Sequence, residues 1–160
     1  MSRRKVAAIL EELSGACRES YRFFDACAHK AADDEVRQLL AYRARRYAEN
    51  VAELGTLSAA FGDLDCEGPD LEAAPKSRWS ALRKRVSGMA KRNLLQACEA
   101  QDSRVLVVYR DSFEYQMPGP IAARVTAQFG ELIDHHARFG RLQETADRPA
   151  AANLELSAQL

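Results

Sequence analysis

The side chains of this chain that could do chemistry are three histidines, four cysteines and scattered carboxylates. Two iron or manganese ions in a helical bundle take six ligands: one Glu from each of two helices and a Glu-x-x-His pair from each of the other two. No Glu-x-x-His occurs here, because Ala26, Leu132 and Ile133 stand three residues before His29, His135 and His136. A degenerate metal-binding or peroxide-handling site would have to be assembled from Asp102, His136, Glu49, Glu53, Glu99 and Glu131, with iron or manganese as its ion. The neighbours His135 and His136 diverge by about 100° on a helix and so cannot share one ion; Asp134 and His135 are expected to face solvent. Cys17, Cys27, Cys66 and Cys98 lack the close spacing of a zinc knuckle and are too few for a disulfide scaffold. Reduced thiols are expected, with Cys17 and Cys98 acting as inert packing groups and Cys66 dulled by the acidic residues around it. No glycine-rich phosphate loop, nucleophile elbow or Ser-His-Asp order is present, so no catalytic residue is assigned.

Helices must position these groups. Eight Gly and five Pro punctuate a chain of 160 residues that is otherwise rich in Ala, Leu, Arg and Glu. From about Arg4 to Ala31, Val6, Leu10, Leu13, Cys17, Tyr21, Phe24 and Ala28 recur every three or four positions, which is one stripe of a helix. Asp33 and Asp34 supply an N-cap for a second helix carrying Val36, Leu40, Tyr47, Val51, Leu54, Leu57 and Phe61 and ending at Gly62. Residues 62–75 read as loop, followed by a short helix around Trp79, Leu82, Val86 and Met89. A third long helix is predicted from about Lys91 to Gln116, a break at Met117-Pro118-Gly119-Pro120, and a fourth from about Pro120 to Ala146.

Two short connections make two helical hairpins, and the long linker can return the chain along helices of about 39 Å. The fold class is therefore all-α: a ferritin-like up-down-down-up four-helix bundle over residues 1–146, its long crossover containing a short helix, with a loose tail at 147–160. Leu13-Ser-Gly-Ala-Cys17 echoes Leu94-Leu-Gln-Ala-Cys98 at an offset of 81, as expected of two related hairpins. At about 100° per residue, Tyr21 and Asp102 sit about 40° from Cys17 and Cys98 on their stripes, while Arg43 and Asn50 face inward on the second helix and His136 on the fourth. Counting from the turns places Tyr21, Arg43, Asp102 and His136 at one height. They are expected to form a buried hydrogen-bonded cluster where a di-iron centre would lie, the arginine repelling a cation and the carboxylate pairing with it. The competing reading leaves Arg43 and Asp102 on ordinary exposed flanks.

Five segments stand out in order: LSGACRESYRFF (Leu13 to Phe24), RARRYAENVAEL (Arg43 to Leu54), Arg78-Trp79, LLQACEAQD (Leu94 to Asp102) followed by Tyr109, and QFGELIDHHAR (Gln128 to Arg138). Together they resemble a bacterial family of ferritin-like proteins, a domain-of-unknown-function group of four-helix bundles. The resemblance covers roughly residues 6–144 and implies the fold without implying an activity.

Charge supplies the remaining signal. Twenty-three basic and twenty-three acidic residues cancel, so no global field draws the chain to nucleic acid or lipid. Between Glu72 and Glu99 the chain is exclusively basic, with Arg83, Lys84, Arg85, Lys91 and Arg92 forming a patch. That patch is either the solvated face of the crossover or a dock for an anionic partner; nucleic acid is not indicated, because interleaved aromatics are lacking. No apolar run reaches the length of a signal peptide or membrane span. The reading that emerges is a non-enzymatic, metal-free, cytoplasmic bundle without a cofactor, forming homo-oligomers and serving an unknown protein partner.

Overall fold

The computed structural model describes residues 2–61 and 76–147. Five helices account for most of them: α1 (Arg3–Lys30), α2 (Asp34–Ala60), α3 (Lys76–Ser87), α4 (Lys91–Ser112) and α5 (Gly119–Asp147). The described residues include no strand. The predicted loop at 62–75, with Cys66, and the tail beyond Asp147 lie outside the described residues.

Local chemistry sets the helix ends. The Ser2 hydroxyl accepts from the Lys5 amide at 3.3 Å at the start of α1, and His29 and Lys30 in its last turn complement the helix dipole. Asp33 caps α2 by accepting from the Val36 amide at 3.0 Å and also receives Lys91 Nζ from the start of α4 at 3.1 Å. The third long helix stops at Ser112, short of the predicted Gln116. The amides of Phe113, Glu114 and Tyr115 bond three residues back, to Arg110, Asp111 and Ser112, which tightens the chain into turns. Pro118 then forces extended backbone on the residue before it, and its carbonyl accepts the Ala122 amide at 2.9 Å to open α5.

The apolar stripes pack together. α1 lies against α2, α3 and α4, while α5 lies against α4 and α2. Phe24 is central, its ring 5.5 Å from that of Tyr47 and 5.6 Å from that of Phe139. Leu10, Leu13, Leu40, Leu54 and Leu95 fill the core around it. Side-chain pairs fix the relative directions. Arg3 lies over the ring of Phe61 past the end of α2, and Lys5 over Tyr115 past the end of α4. Arg46 pairs with Glu131 at 2.6 Å, and Glu53 with Arg124 at 2.7 Å, across α2 and α5.

The core makes a simple prediction. Leu13→Ala, at a fully buried position, is expected to destabilise the chain by about 2 to 5 kcal/mol in urea unfolding, whereas Ile133→Ala, at an exposed position, changes it by less than about 0.5 kcal/mol.

Candidate functional site

A cation and an anion sit inside the apolar core. Arg43 is 0% exposed and Asp102 1%, and Arg43 Nη2 donates to Asp102 Oδ1 at 3.0 Å. The same oxygen accepts the Tyr47 hydroxyl in a short hydrogen bond, and Arg43 Nη2 also reaches that hydroxyl at 3.3 Å. Tyr47 is one helical turn beyond Arg43, so both project from the same face of α2 toward Asp102 on α4. Aromatic faces complete the enclosure: the guanidinium carbon lies 4.9 Å from the Tyr47 ring centroid and 5.6 Å from that of Phe24.

Both interactions fall on one carboxylate oxygen. Asp102 Oδ2, Arg43 Nε and Arg43 Nη1 are buried without a hydrogen-bond partner, as is His136 Nδ1. The pair is thus end-on rather than a two-pronged fork, leaving part of the desolvation cost uncompensated. Burial pushes the Asp102 carboxyl above its ordinary value, opposed by Arg43 and the Tyr47 hydroxyl and by the positive charge that His136 can carry. Burial likewise raises the Tyr47 phenol well above its ordinary range.

Of the residues expected to cluster, the structure brings Arg43 and Asp102 into contact and sets His136, half-buried, within electrostatic reach. Tyr21 is half-buried and packs against the core from α1. The phenol bonded to Asp102 is that of Tyr47, which sequence reasoning placed on the apolar stripe of α2 without using its hydroxyl. Its spacing of four from Arg43 was the available signal.

A second buried polar chain lies nearby. The Tyr109 hydroxyl donates to Gln128 Oε1 at 2.7 Å, so the Cys17 thiol, 3.2 Å from that hydroxyl, supplies the proton of their contact. Gln128 Nε2 then donates to Glu53 at 3.2 Å, and Arg124 clamps Glu53 with two bonds at 2.8 and 2.7 Å. Burial pushes the Cys17 thiol up to about 12, and contact with Cys27 together with burial raises that of Cys98. Both are therefore protonated packing groups. The described cysteines, Cys17, Cys27 and Cys98, are all buried and free.

Four of the five carboxylates offered as alternative metal ligands are engaged by arginines, Asp102 by Arg43 among them. Glu49 and Glu131 pair with Arg46, and Glu53 with Arg124. Glu99 is half-buried on α4. Among the described residues no group of three or more His, Cys, Asp and Glu is placed to hold a metal ion. Among the described residues the donors of a di-iron centre therefore do not fit: a guanidinium stands beside the buried carboxylate of Asp102, and Glu49, Glu53 and Glu131 are paired with arginines. His135 corrects the expectation of a solvent-facing ring. It is 5% exposed, under the ring of Tyr42 and with Nε2 3.6 Å from Glu131, and burial and then Arg43 lower its pKa. Its neighbours Ile133 and Asp134 are the residues that face out.

The basic patch is real at the surface. Arg83, Lys84, Arg85, Lys91 and Arg92 are all exposed, although Lys91 is tied to Asp33. No described helix is long and apolar enough to cross a membrane.

Residues 5–114 match the family described as Domain of unknown function (DUF2383). The chain belongs to this family. The matched span takes in Arg43, Tyr47 and Asp102 and stops before α5, so the His135-His136 segment of the expected resemblance lies outside it. No curated protein matches the sequence.

Two predictions follow from the charges. Arg43→Met or Asp102→Asn alone leaves its partner buried without its counterpart and should cost about 3 to 5 kcal/mol in urea unfolding. The double variant is expected to be less destabilised than the two single losses combined, by roughly 0.5 to 3 kcal/mol; strict additivity would show that the two groups are not coupled. The pH dependence separates the core from the rim. With its folded pKa raised, Asp102 favours the fold most below the ordinary carboxylate range, and that contribution is lost as pH rises through its folded value. Glu53 is held low by Arg124, and Glu131, although burial raises it, is held low by Arg46. Their stabilisation is present above the ordinary value and lost as pH falls through the folded one. Carboxyl-carbon NMR should therefore show Asp102 titrating at higher pH in Tyr47→Phe than in the parent, and Glu53→Gln should flatten the acid limb of the stability curve.

Proposed function

We propose that this chain is a ferritin-like up-down-down-up bundle that has exchanged metal chemistry for an internal ion pair and acts as a non-enzymatic, metal-free protein of the cytoplasm. The observation that carries this reading is Arg43, fully buried and 3.0 Å from Asp102 in the middle of the helical core. A permanently charged guanidinium at that depth opposes the entry of a divalent cation, and the nearest carboxylate already serves it. The topology is supported by the opposed order of the Arg46–Glu131 and Glu53–Arg124 pairs and by the meeting of the start of α1 with the ends of α2 and α4. The free thiols of Cys17, Cys27 and Cys98 are consistent with a reducing compartment. Among the described residues no group of three or more His, Cys, Asp and Glu is placed to hold a metal ion, and the proposed work of the molecule is at its surface, through self-association or capture of a partner.

The test is metal analysis of the whole protein, purified without chelator and then offered iron(II) or manganese(II). The reading predicts far less than one equivalent retained after desalting, before and after loading. Stoichiometric retention that is abolished by Asp102→Asn would overturn it in favour of a metal or peroxide-handling protein.

A further inference from the structure

A groove of about 760 Å³ opens between α1, α3 and α4, away from the buried ion pair. Among the described residues four arginines line it, Arg18 and Arg22 from α1, Arg85 from α3 and Arg104 from α4, against a single carboxylate, that of Glu19. We infer that this groove binds a small anion carrying two or more adjacent phosphate groups.

Arg18 and Arg104 are each held in place by the protein itself. Arg18 is braced by Glu11 at 2.8 Å and by the Ser14 hydroxyl at 3.4 Å, both through Nη2; its Nε is buried and bonded to nothing. Arg104 donates through Nη2 to Gln101 Oε1, and Gln101, 3% exposed, is itself fixed by donating to Ser20 at 2.9 Å. Arg85 is exposed and has no partner among the described residues. The four guanidiniums, brought together from three helices, outnumber the described carboxylates beside them, Glu19 in the lining and Glu11 on Arg18, and a ligand with several negative charges relieves the surplus. Guanidinium is the side chain that meets phosphate oxygens two at a time, and bracing lowers the entropy lost on binding.

The shape and lining select the ligand class. A single phosphate can engage about two guanidinium forks, whereas four forks spread over the groove suit a short phosphate chain. The concave wall does not suit a flat lipid surface. Among the described lining residues the one aromatic, Phe23, is 5% exposed and offers no face for stacking a base. Among the described residues of the basic run in the crossover, Arg85 is the one that lines the groove, where it joins three arginines from other helices.

Titration calorimetry of the full chain with sodium tripolyphosphate at physiological ionic strength tests the inference. One ligand per chain is expected, binding more tightly than pyrophosphate and pyrophosphate more tightly than orthophosphate. Arg85→Gln and Arg104→Gln should each weaken tripolyphosphate by about tenfold or more, with unchanged circular dichroism. Arg110→Gln, an exposed position on α4 outside the groove, should leave it unchanged. Absence of binding at that salt, equal weakening by Arg110→Gln, or citrate binding as tightly as tripolyphosphate would each overturn the assignment.

Discussion

A guanidinium cannot be taken out of water without compensation, and the core of this protein is arranged around that constraint. Arg43 reaches the interior because Asp102 meets it from α4, Tyr47 lends a hydroxyl to the same carboxylate oxygen, and the rings of Tyr47 and Phe24 flank the charge. These partners come from α1, α2 and α4, so three helices must be docked before the charge is satisfied. A hydrophobic substitute of equal volume could give similar stability, as is general for buried ion pairs. What the pair adds is register, because sliding α2 or α4 by one turn would strand a full charge on each.

The rim of the same bundle uses the opposite arrangement. Arg46 with Glu131 and Arg124 with Glu53 are partly exposed, and each salt bridge costs little to form and little to lose. They lock α2 against α5, while Gln128 links Glu53 inward to Tyr109 and Cys17. That chain runs from the surface at Glu53 to Cys17 in the core, while Arg43, Tyr47 and Asp102 bond among themselves. The described lining of the arginine-rich groove includes none of Arg43, Tyr47 and Asp102.

Much of this was legible in the sequence, for physical reasons that also mark where legibility stopped. Stripes at helical spacing predicted α1, α2, α4 and α5, and the charge on those stripes singled out Arg43 and Asp102, although angle alone left exposed flank positions open as the competing reading. Tyr47 was missed as a partner because a tyrosine on an apolar stripe reads as packing, and its hydroxyl is informative only once the opposite helix is in place. His135 was misplaced because burial at the edge of a stripe depends on the neighbouring helix rather than on angle alone. The echo at an offset of 81 gains meaning from the bond between Ser20 and Gln101, separated by that same interval across α1 and α4. The groove was not legible, since Arg18, Arg22 and Arg104 are unremarkable until three helices converge.

The central claim is that Arg43 is sealed inside the bundle as a permanent cation. Side-chain nitrogen-15 NMR of the uniformly labelled protein tests it directly, with the exposed Arg45 as internal reference. The account predicts that the Arg43 Nε proton exchanges with water only on the timescale of global unfolding, while that of Arg45 exchanges at once. Equal, rapid exchange at both positions would mean that Arg43 extends into solvent, and the account of the core would be wrong.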